Sequence, residues 1–406
     1  MSKDLNKYIF FAFQFLFLFS ILIPQSIATN SDMQSFSDPE GLEERKIPGL
    51  RHYHKIEKDP ENILELNEVH LDINIPKINF TVNGRKDRVD KYLFKTGTRS
   101  VIVLHDKDVV YEKYSMLNNR ETLYTGWSLT KMFLNAAIGS LIYNTIIDSE
   151  NEPIDRYALQ LSNSAYSKVT IQQALQQSSA VKENEYLNMP GLIFYLNKPG
   201  NGWESYLLTK SRMSGYQPGE AFNYTETDPA ALALMLREAS GYSLSEYIQE
   251  RIWKPIGMEY DGRYQLDNQG KESGGNGLEA TLRDYARMGL LYANYGSLNG
   301  SQVFTAEWVK KSIEPTYYPK GKLIFNGTKN IGYGYFWWPS LDGEGDFFIP
   351  GLFGNFIYID PRTKVVIVRI GIYQPIFYHG RPYIESVLDV SRAIRDEIMR
   401  KAAVQK

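Results

Sequence analysis

The 406-residue chain contains no cysteine. This absence excludes thiol nucleophiles, disulfide bonds and cysteine-ligated metals. Histidine is also scarce, with five residues in all, and no His-Glu-x-x-His or similar spacing of metal ligands occurs. His52 and His54 lie close together in a polar segment, but two histidines are too few for a well-defined metal site. We therefore predict no metal and no cofactor.

The chain also has no block of basic residues, and 45 lysines and arginines nearly balance 47 acidic residues, for a net charge of −2. This balance argues against nucleic acid as the main partner. Hydrophobic residues make up 43% of the chain and charged residues 23%, which is typical of a folded protein with a packed core. The length suits one large domain or two interleaved ones.

The N-terminal segment has the features of an export signal. Two lysines precede an apolar stretch over 8–23, and small residues lead up to Ala28 at the positions that a signal peptidase reads. The stretch is shorter than an ordinary membrane span. We expect a signal peptide over 1–28 and a periplasmic or secreted protein, with an uncleaved membrane anchor as the alternative. Residues 29–70 are polar and contain prolines, which favours a linker or an arm lying over the domain.

Strand signals lie at both ends of the remaining chain, with helical signals between them. Short β-rich runs at 101–105 and 109–114 flank a turn and predict an antiparallel hairpin. From about 150 to 320 the signals are mainly helical, and strands return over 347–372 before a closing helix over 383–401. We therefore predict an α+β fold, in which an antiparallel sheet built from both chain ends carries flanking helices and an inserted, mainly helical subdomain.

The domain boundaries follow from the same patterns. The folded domain should extend over 71–402, with the helical insertion at about 150–320. The aromatic run from Gly332 to Trp338 has high β propensity, so we predict a strand there as well.

An apolar run from Ser128 to Tyr143 has its apolar residues at helical spacing and begins with Ser-Leu-Thr-Lys. Ser128 and Lys131 are three residues apart, so a helix places both on one face. Burial disfavours the charged form of a lysine, so we expect the pKa of Lys131 to fall. Because a neutral amine can take the proton of a serine hydroxyl, Ser128 is a candidate acyl-accepting nucleophile and Lys131 is its candidate base.

The Ser-x-x-Lys spacing is weak evidence by itself. A chain of this length should contain roughly one or two matches by chance, and a second match, Ser179 to Lys182, follows a polar amphipathic helix. The alternative for Ser128 is a helix N-cap followed by an ordinary lysine. A Ser-His-Asp site with His105 or His379 is a further alternative, although Thr130 leaves no Gly-x-Ser-x-Gly turn.

Five segments in order resemble the serine β-lactamase and penicillin-binding-protein superfamily, and most of all its class C-like branch of esterases and 6-aminohexanoate-dimer hydrolases. The likeness covers roughly residues 95 to 400. The segments, each similar to a family motif or a characteristic family run, are 127–131 (first motif, Trp-Ser-Leu-Thr-Lys), 222–224 (second motif, Phe-Asn-Tyr), 253–258, 275–292 and 351–361.

The resemblance implies roles for four residues. Ser128 attacks a carbonyl carbon, Lys131 is the base, and Tyr224 carries the proton to the leaving group. A tyrosine has an ordinary pKa of about 10, so Tyr224 needs a cationic neighbour such as Lys131 to act as a base. The N–H groups of Ser128 and Leu352 hold the oxyanion. Without the flanking match, Tyr224 is one packed tyrosine among 29.

Two positions depart from the family pattern. Glu226 stands two residues after Tyr224, where β-lactamases usually have an amide, and Phe347 to Gly351 lacks the lysine or histidine of the third motif. In the family, that third-motif cation meets the carboxylate of a β-lactam. The resemblance therefore implies esterase or amidase activity rather than efficient β-lactam hydrolysis.

Five residues that flank the motif segments are candidates to bind the substrate, with ordinary core packing as the alternative for the aromatic ones. They are Tyr124, Trp127, Trp338, Phe353 and Asn355. Their apolar character favours a small ester or amide with an apolar acyl group as substrate. We predict no nucleic-acid partner, and membrane contact only through an uncleaved N-terminal segment. The alternative from another functional class is a non-catalytic, penicillin-binding-like sensor or envelope-binding protein.

Overall fold

The computed structural model describes most of the chain after the N-terminal segment. The described residues are 52–69, 73–115, 117–183, 192, 195–196, 198–317 and 330–404. The predicted signal peptide over 1–28 and most of the predicted arm over 29–70 lie outside these residues. Within them, no helix combines the length and apolar character that crossing a membrane requires.

The strands are β1 (His52–Ile56), β2 (Asn67–Glu68), β3 (Asn79–Val82), β4 (Arg85–Arg88), β5 (Thr98–His105), β6 (Asp108–Tyr114), β7 (Tyr124–Thr125), β8 (Gly262–Leu266), β9 (Leu278–Ala280), β10 (Ser297–Leu298), β11 (Ser301–Gln302), β12 (Trp338–Pro339), β13 (Phe347–Pro350), β14 (Phe356–Asp360), β15 (Val365–Gly371), β16 (Phe377–Tyr378) and β17 (Arg381–Pro382). The α-helices are α1 (Val89–Lys95), α2 (Thr130–Tyr143), α3 (Ile171–Leu175), α4 (Trp203–Leu208), α5 (Thr227–Ser240), α6 (Leu244–Ile248), α7 (Leu282–Ala293), α8 (Ala306–Ile313) and α9 (Tyr383–Val404).

The two ends of the described chain build its largest sheet, which there has seven strands in the order β12-β13-β14-β15-β5-β6-β2. β5 and β6 form the predicted antiparallel hairpin. β5 also pairs antiparallel with β15, which brings Val103 opposite Ile367. The predicted α+β architecture and the joining of the two chain ends in one sheet are therefore confirmed. Only the short pair of β2 with β6 is parallel among the described strands of this sheet.

Strand β15 lies in the middle of the sheet, and all of its residues are buried. Its near-continuous apolar sequence, Val-Val-Ile-Val-Arg-Ile-Gly, fits a strand that is covered on both faces. Helix α7 packs directly on it at Gly289, where an added Cβ would lie 2.4 Å from Val366 Cγ1. The glycine allows the helix to approach the sheet closely, because any side chain there would push the two layers apart.

The segment between residues 150 and 320 is mainly helical, as predicted, but it also contributes strands to a second sheet of order β1-β8-β9-β7. β8 pairs along its whole length with β1, from His52 opposite Leu266 to Ile56 opposite Gly262. Part of the segment that we predicted as a polar arm is therefore a strand. The partner of β1 is about 200 residues away, so the local sequence pattern does not reveal the pairing.

The predicted strand from Gly332 to Trp338 is reduced to β12 at its end. Phe336 has a φ of +67°, and the Gly334 N–H donates to the Trp337 carbonyl at 2.9 Å. This tight turn reverses the backbone inside the aromatic run. High β propensity was misleading here, because the aromatic side chains pack in the core from a turn and not from a strand.

Candidate active site

The site is organised by α2, a helix that is buried along most of its length. All residues from Thr130 to Leu141 are buried, so this helix is covered on every side and has no solvent face. A 3₁₀ turn, Trp127–Leu129, leads into it. Trp127 has a φ of +54°, which is unusual for a bulky residue and marks a sharp, constrained turn. Ser128 lies in this turn and Lys131 in the first turn of α2.

The structure brings the three predicted catalytic side chains together. Lys131 Nζ lies 3.4 Å from Ser128 Oγ. The Tyr224 hydroxyl donates to Ser128 Oγ at 3.0 Å, and Lys131 Nζ lies 4.9 Å from the centre of the Tyr224 ring. A serine hydroxyl thus has both a basic side chain and a phenol within reach, which is the arrangement that nucleophilic catalysis requires.

Glu226 contacts the same lysine more closely than Ser128 does. Its Oε1 accepts a hydrogen bond from Lys131 Nζ at 2.6 Å, and the two side chains are only 3% and 1% exposed. Lys131 also donates to the Gly275 carbonyl at 3.1 Å, and Asn276 Nδ2 donates to Glu226 Oε2 at 2.8 Å. The carboxylate favours the ammonium form of Lys131, whereas burial of the amine opposes it.

The local sequence explains how Tyr224 and Glu226 reach this position. Helix α5 begins at Thr227 and ends at Gly241, which takes the left-handed conformation with a φ of +76°. Ahead of the helix, Asn223 Nδ2 donates to two carbonyl groups, at 3.1 and 2.9 Å, and fixes the loop that carries Tyr224. The facing loop has Gly275, where an added Cβ would lie 2.1 Å from Glu226 Oε2. A larger residue at this position would force the carboxylate to move.

The backbone that follows β13 carries the second candidate oxyanion donor. At Gly351, directly after β13, an added Cβ would lie 2.7 Å from the Gly126 carbonyl oxygen and 3.6 Å from the Ser128 nitrogen. The chain therefore passes close to the turn that holds Ser128. Leu352 follows in a second 3₁₀ turn, Leu352–Gly354, so the two predicted donors are on neighbouring backbone segments.

Asn355 connects these backbone segments to β15 through hydrogen bonds of its side-chain amide. Its Nδ2 donates to the Thr125 carbonyl at 3.1 Å, and its Oδ1 accepts from the Gly371 N–H at 2.9 Å. Asn355 is 2% exposed. We predicted it as a substrate-binding residue, but both ends of its amide join the oxyanion segments to β15, so its contacts in this structure are within the protein.

Four of the five predicted substrate-binding residues line one cavity of about 350 Å³. This Trp127 cavity is lined by Arg99, Leu123, Tyr124, Thr125, Trp127, Arg263, Glu279, Phe353, Asn355, Ile370, Gly371 and Ile372. Trp127 and Phe353 pack edge to face, with ring centres 5.4 Å apart. Trp338 does not line it and instead packs near Tyr224, with ring centres 6.4 Å apart.

The competing assignments are not supported by the geometry. Ser179 is buried, whereas Lys182 is exposed, so the second Ser-x-x-Lys match does not bring its amine to its hydroxyl. His379 pairs with Asp87 at 2.8 Å. Within the part of the chain that the structure describes, the side-chain partners of Ser128 Oγ are Lys131 and Tyr224. The same residues contain no group of three side chains suited to hold a metal ion.

Sequence reasoning identified Glu226 as a departure from the family pattern but not as the partner of Lys131. The two residues are 95 positions apart, and nothing in the local sequence indicates which cation a buried glutamate will contact. Gly275 and Asn276 were recognised only as part of a family-like segment. Their contacts with Lys131 and Glu226 depend on how two loops meet in the folded chain.

The chain is similar in sequence and in fold to known proteins. The family model described as Beta-lactamase matches residues 87–370. The 6-aminohexanoate-dimer hydrolase of Paenarthrobacter ureafaciens is 24% identical over 322 residues, which cover 75% of this chain and 81% of that protein. A solved structure from Bacillus anthracis, provisionally named as a 6-aminohexanoate-dimer hydrolase, has a TM-score of 0.74 at 25% identity and covers 86% of this chain and 92% of its own.

The fold is also similar to that of a family VIII carboxylesterase, with a TM-score of 0.57 at 15% identity over 75% of this chain and 95% of that structure. The family match extends over well over half of the sequence and includes the segments that carry Ser128, Lys131 and Tyr224. The chain therefore belongs to the beta-lactamase family of hydrolases.

Proposed function

We propose that the protein is a serine hydrolase that forms a covalent acyl-enzyme at Ser128 and acts on small esters or amides. The observation that carries this proposal is the contact of Ser128 Oγ with both Lys131 Nζ, at 3.4 Å, and the Tyr224 hydroxyl, at 3.0 Å. This contact lies beside a backbone segment suited to hold an oxyanion.

The Glu226 contact decides which group we assign as the base. Sequence reasoning gave that role to a neutral Lys131. Because Glu226 favours the charged form of this lysine, we instead assign Lys131 as a fixed cation and Tyr224 as the group that takes the serine proton. A cation 4.9 Å from the Tyr224 ring centre stabilises the phenolate form, which can then accept a proton from Ser128.

The proposed reaction proceeds in two stages. The Ser128 proton passes to the Tyr224 phenolate while Oγ bonds to the substrate carbonyl carbon, and the N–H groups of Ser128 and Leu352 stabilise the resulting oxyanion. Tyr224 then returns the proton to the departing alcohol or amine as the acyl-enzyme forms. In the second stage water gives its proton to Tyr224 and attacks the acyl carbon, and the proton returns to Ser128 as the acid is released.

The residues of β13 support an ester or small amide rather than a β-lactam. Ile349 occupies β13 where the family's third-motif cation is expected, and it is 1% exposed. A substrate carboxylate would therefore meet no charge at this position. The similarity to a 6-aminohexanoate-dimer hydrolase and to a carboxylesterase fold is the further support for hydrolysis of amides or esters.

The test is covalent labelling of the full chain with a fluorophosphonate, followed by peptide mass spectrometry. We expect the label on Ser128, and hydrolysis of 4-nitrophenyl acetate well above the rate of a Ser128→Ala variant. A label on another residue, or equal rates for both proteins, would refute the proposal. The second outcome would favour the non-catalytic sensor or envelope-binding alternative. Ser128→Ala removes one partly exposed hydroxyl, so its melting temperature should match that of the wild type.

A further inference from the structure

The Trp127 cavity lies directly beside the proposed oxyanion donors. Trp127 precedes Ser128 in the chain, and Phe353 follows Leu352. Both aromatic residues are partly exposed, and both have a positive φ, +54° and +61°. Two bulky side chains are thus held in a costly backbone conformation at the cavity wall, which is common where a protein shapes a binding surface. The volume of about 350 Å³ is at the small end of the range for ligand sites.

Three of the lining side chains carry charge: Arg99, Arg263 and Glu279. Arg263 Nε donates to Glu279 Oε2 at 2.7 Å, so these two charges neutralise each other. The other carboxylate oxygen of Glu279 accepts from the Thr125 hydroxyl at 2.9 Å and from the Tyr53 hydroxyl at 3.3 Å. Glu279 is therefore fully engaged, and Arg99 supplies the remaining positive charge of the cavity.

Arg99 is held in place by neutral groups. Its Nη2 donates to Asn118 Oδ1 at 2.9 Å, and its guanidinium carbon lies 5.7 Å from the centre of the Tyr124 ring. Within the described ranges, no carboxylate lies within ion-pair distance of it. A guanidinium that is positioned on an aromatic ring but lacks an anionic partner is well suited to bind a carboxylate of a ligand.

The cavity wall begins one residue from each proposed oxyanion donor. Trp127 and Phe353 line it and are next in the chain to Ser128 and Leu352, whereas Ser128 itself does not line it. An acyl chain on Ser128 would have to pass Trp127 and Phe353 to reach Arg99.

We propose that the Trp127 cavity binds the acyl part of the substrate, and that Arg99 binds a carboxylate at the far end of that acyl chain. This inference rests on the proposed function, because it assumes an acyl group on Ser128. It names the substrate class as half-esters or half-amides of short dicarboxylic acids. The apolar middle of such a chain contacts Trp127 and Phe353, and its terminal charge compensates Arg99.

The test compares 4-nitrophenyl hydrogen glutarate with 4-nitrophenyl pentanoate, which have acyl chains of equal length with and without a terminal carboxylate. A charge-assisted contact of an exposed arginine should favour the glutarate by about tenfold in kcat/KM at low salt. Arg99→Gln should lower kcat/KM on the glutarate by about tenfold and so remove that preference. Arg99→Lys should retain part of the preference, and added salt should reduce it.

Arg85→Gln is the matched control, because Arg85 is also exposed and does not line the cavity. It should leave both rates unchanged. If wild type and Arg99→Gln show the same ratio of rates, the inference is refuted. If Arg99→Gln instead lowers the rate on 3-carboxyphenyl pentanoate, which has its carboxylate on the leaving group, the acyl-side assignment is wrong.

The design separates failure of this inference from failure of the proposed function. Hydrolysis of the neutral pentanoate through a Ser128-linked acyl-enzyme, without any preference for the glutarate, refutes only the role of Arg99. Hydrolysis that survives Ser128→Ala refutes the proposed function and the inference that rests on it.

Discussion

The role of Glu226 gives the most decisive prediction about the site. Two unit charges separated by the 2.6 Å between Lys131 Nζ and Glu226 Oε1 attract each other by about 6 kcal/mol at an effective dielectric constant of about 20. Removing both charges from water costs several kcal/mol for each ion, so the attraction within the pair and its desolvation cost are of similar size. Glu226→Gln keeps the size and shape of the side chain but removes the charge that favours the ammonium form of Lys131.

We expect Glu226→Gln to lower kcat/KM on 4-nitrophenyl acetate at pH 7 by about 10²-fold, within the range for loss of general base catalysis. Without the carboxylate, burial makes Lys131 lose its proton at lower pH. The high-pH side of the pH–rate profile should therefore shift to lower pH. The measurement is kcat/KM for both proteins between pH 5 and pH 10.

The opposite result would refute this reasoning. If a neutral Lys131 is the base, Glu226→Gln increases the neutral fraction, so activity near pH 7 is kept or raised and the low-pH side of the profile moves to lower pH. Such a profile would restore the role that the sequence alone suggested for Lys131.

Two controls separate chemistry from stability. Breaking a buried ion pair by removing one partner costs about 3–5 kcal/mol in the free energy of unfolding, which urea titration measures. The double variant Lys131→Met/Glu226→Gln should recover much of that stability and stay inactive. Glu183→Gln removes a second buried glutamate, which lies 3.3 Å from Lys210. It should destabilise the protein without moving the pH–rate profile.

Further predictions concern Tyr224, the oxyanion segment and a buried aspartate. Tyr224→Phe keeps the ring but removes the proton carrier, so kcat on 4-nitrophenyl acetate should fall by about 10²–10⁴-fold. Gly351 has a φ of −115°, which alanine can adopt, but the Cβ of an alanine would lie 2.7 Å from the Gly126 oxygen. Gly351→Ala should therefore displace the oxyanion segment and lower kcat by about 10²–10³-fold. Its circular dichroism should be unchanged. Burial raises the pKa of Asp228 to about 7, whereas an aspartate in an unfolded chain has a pKa of about 3.9. The folded protein therefore holds this proton more tightly, and the stability that the proton contributes is lost as pH rises through 7. Urea titration should show that Asp228→Asn raises the free energy of unfolding at pH 8 by up to about 4 kcal/mol, with little change at pH 4.

Local sequence patterns predicted the elements that carry the chemistry. Hydrophobic periodicity predicted the helix that follows Ser128, and the structure has α2 at Thr130–Tyr143. The mainly helical signals predicted over about 150–320 include α5, which has a proline near its start, Gly241 after its end and Glu226 at its N-terminus. These predictions succeed because helix ends and buried faces depend on residues that are near each other in the chain. The export signal over 1–28 stays a prediction, which N-terminal sequencing of the expressed protein would test.

Patterns within the sequence were less informative where backbone turns and distant partners decide the structure. The aromatic run at 332–338 has the composition of a strand, yet Phe336 takes a left-handed conformation and the chain turns. β1 forms because β8 offers an unpaired edge about 200 residues away. Neither outcome follows from propensity, since both depend on packing and pairing that exist only in the folded chain.

The sequence by itself determined the family, the fold class and the three residues expected to do the chemistry, because motif order and helical spacing are local properties. Only the tertiary structure decided the electrostatics around them. It places a carboxylate 2.6 Å from Lys131. Among the described residues it gives Arg263 an ion-pair partner in Glu279 but gives Arg99 none. Protonation and charge recognition depend on distances between groups that are far apart in the chain, and those distances are fixed only when the loops and sheets pack.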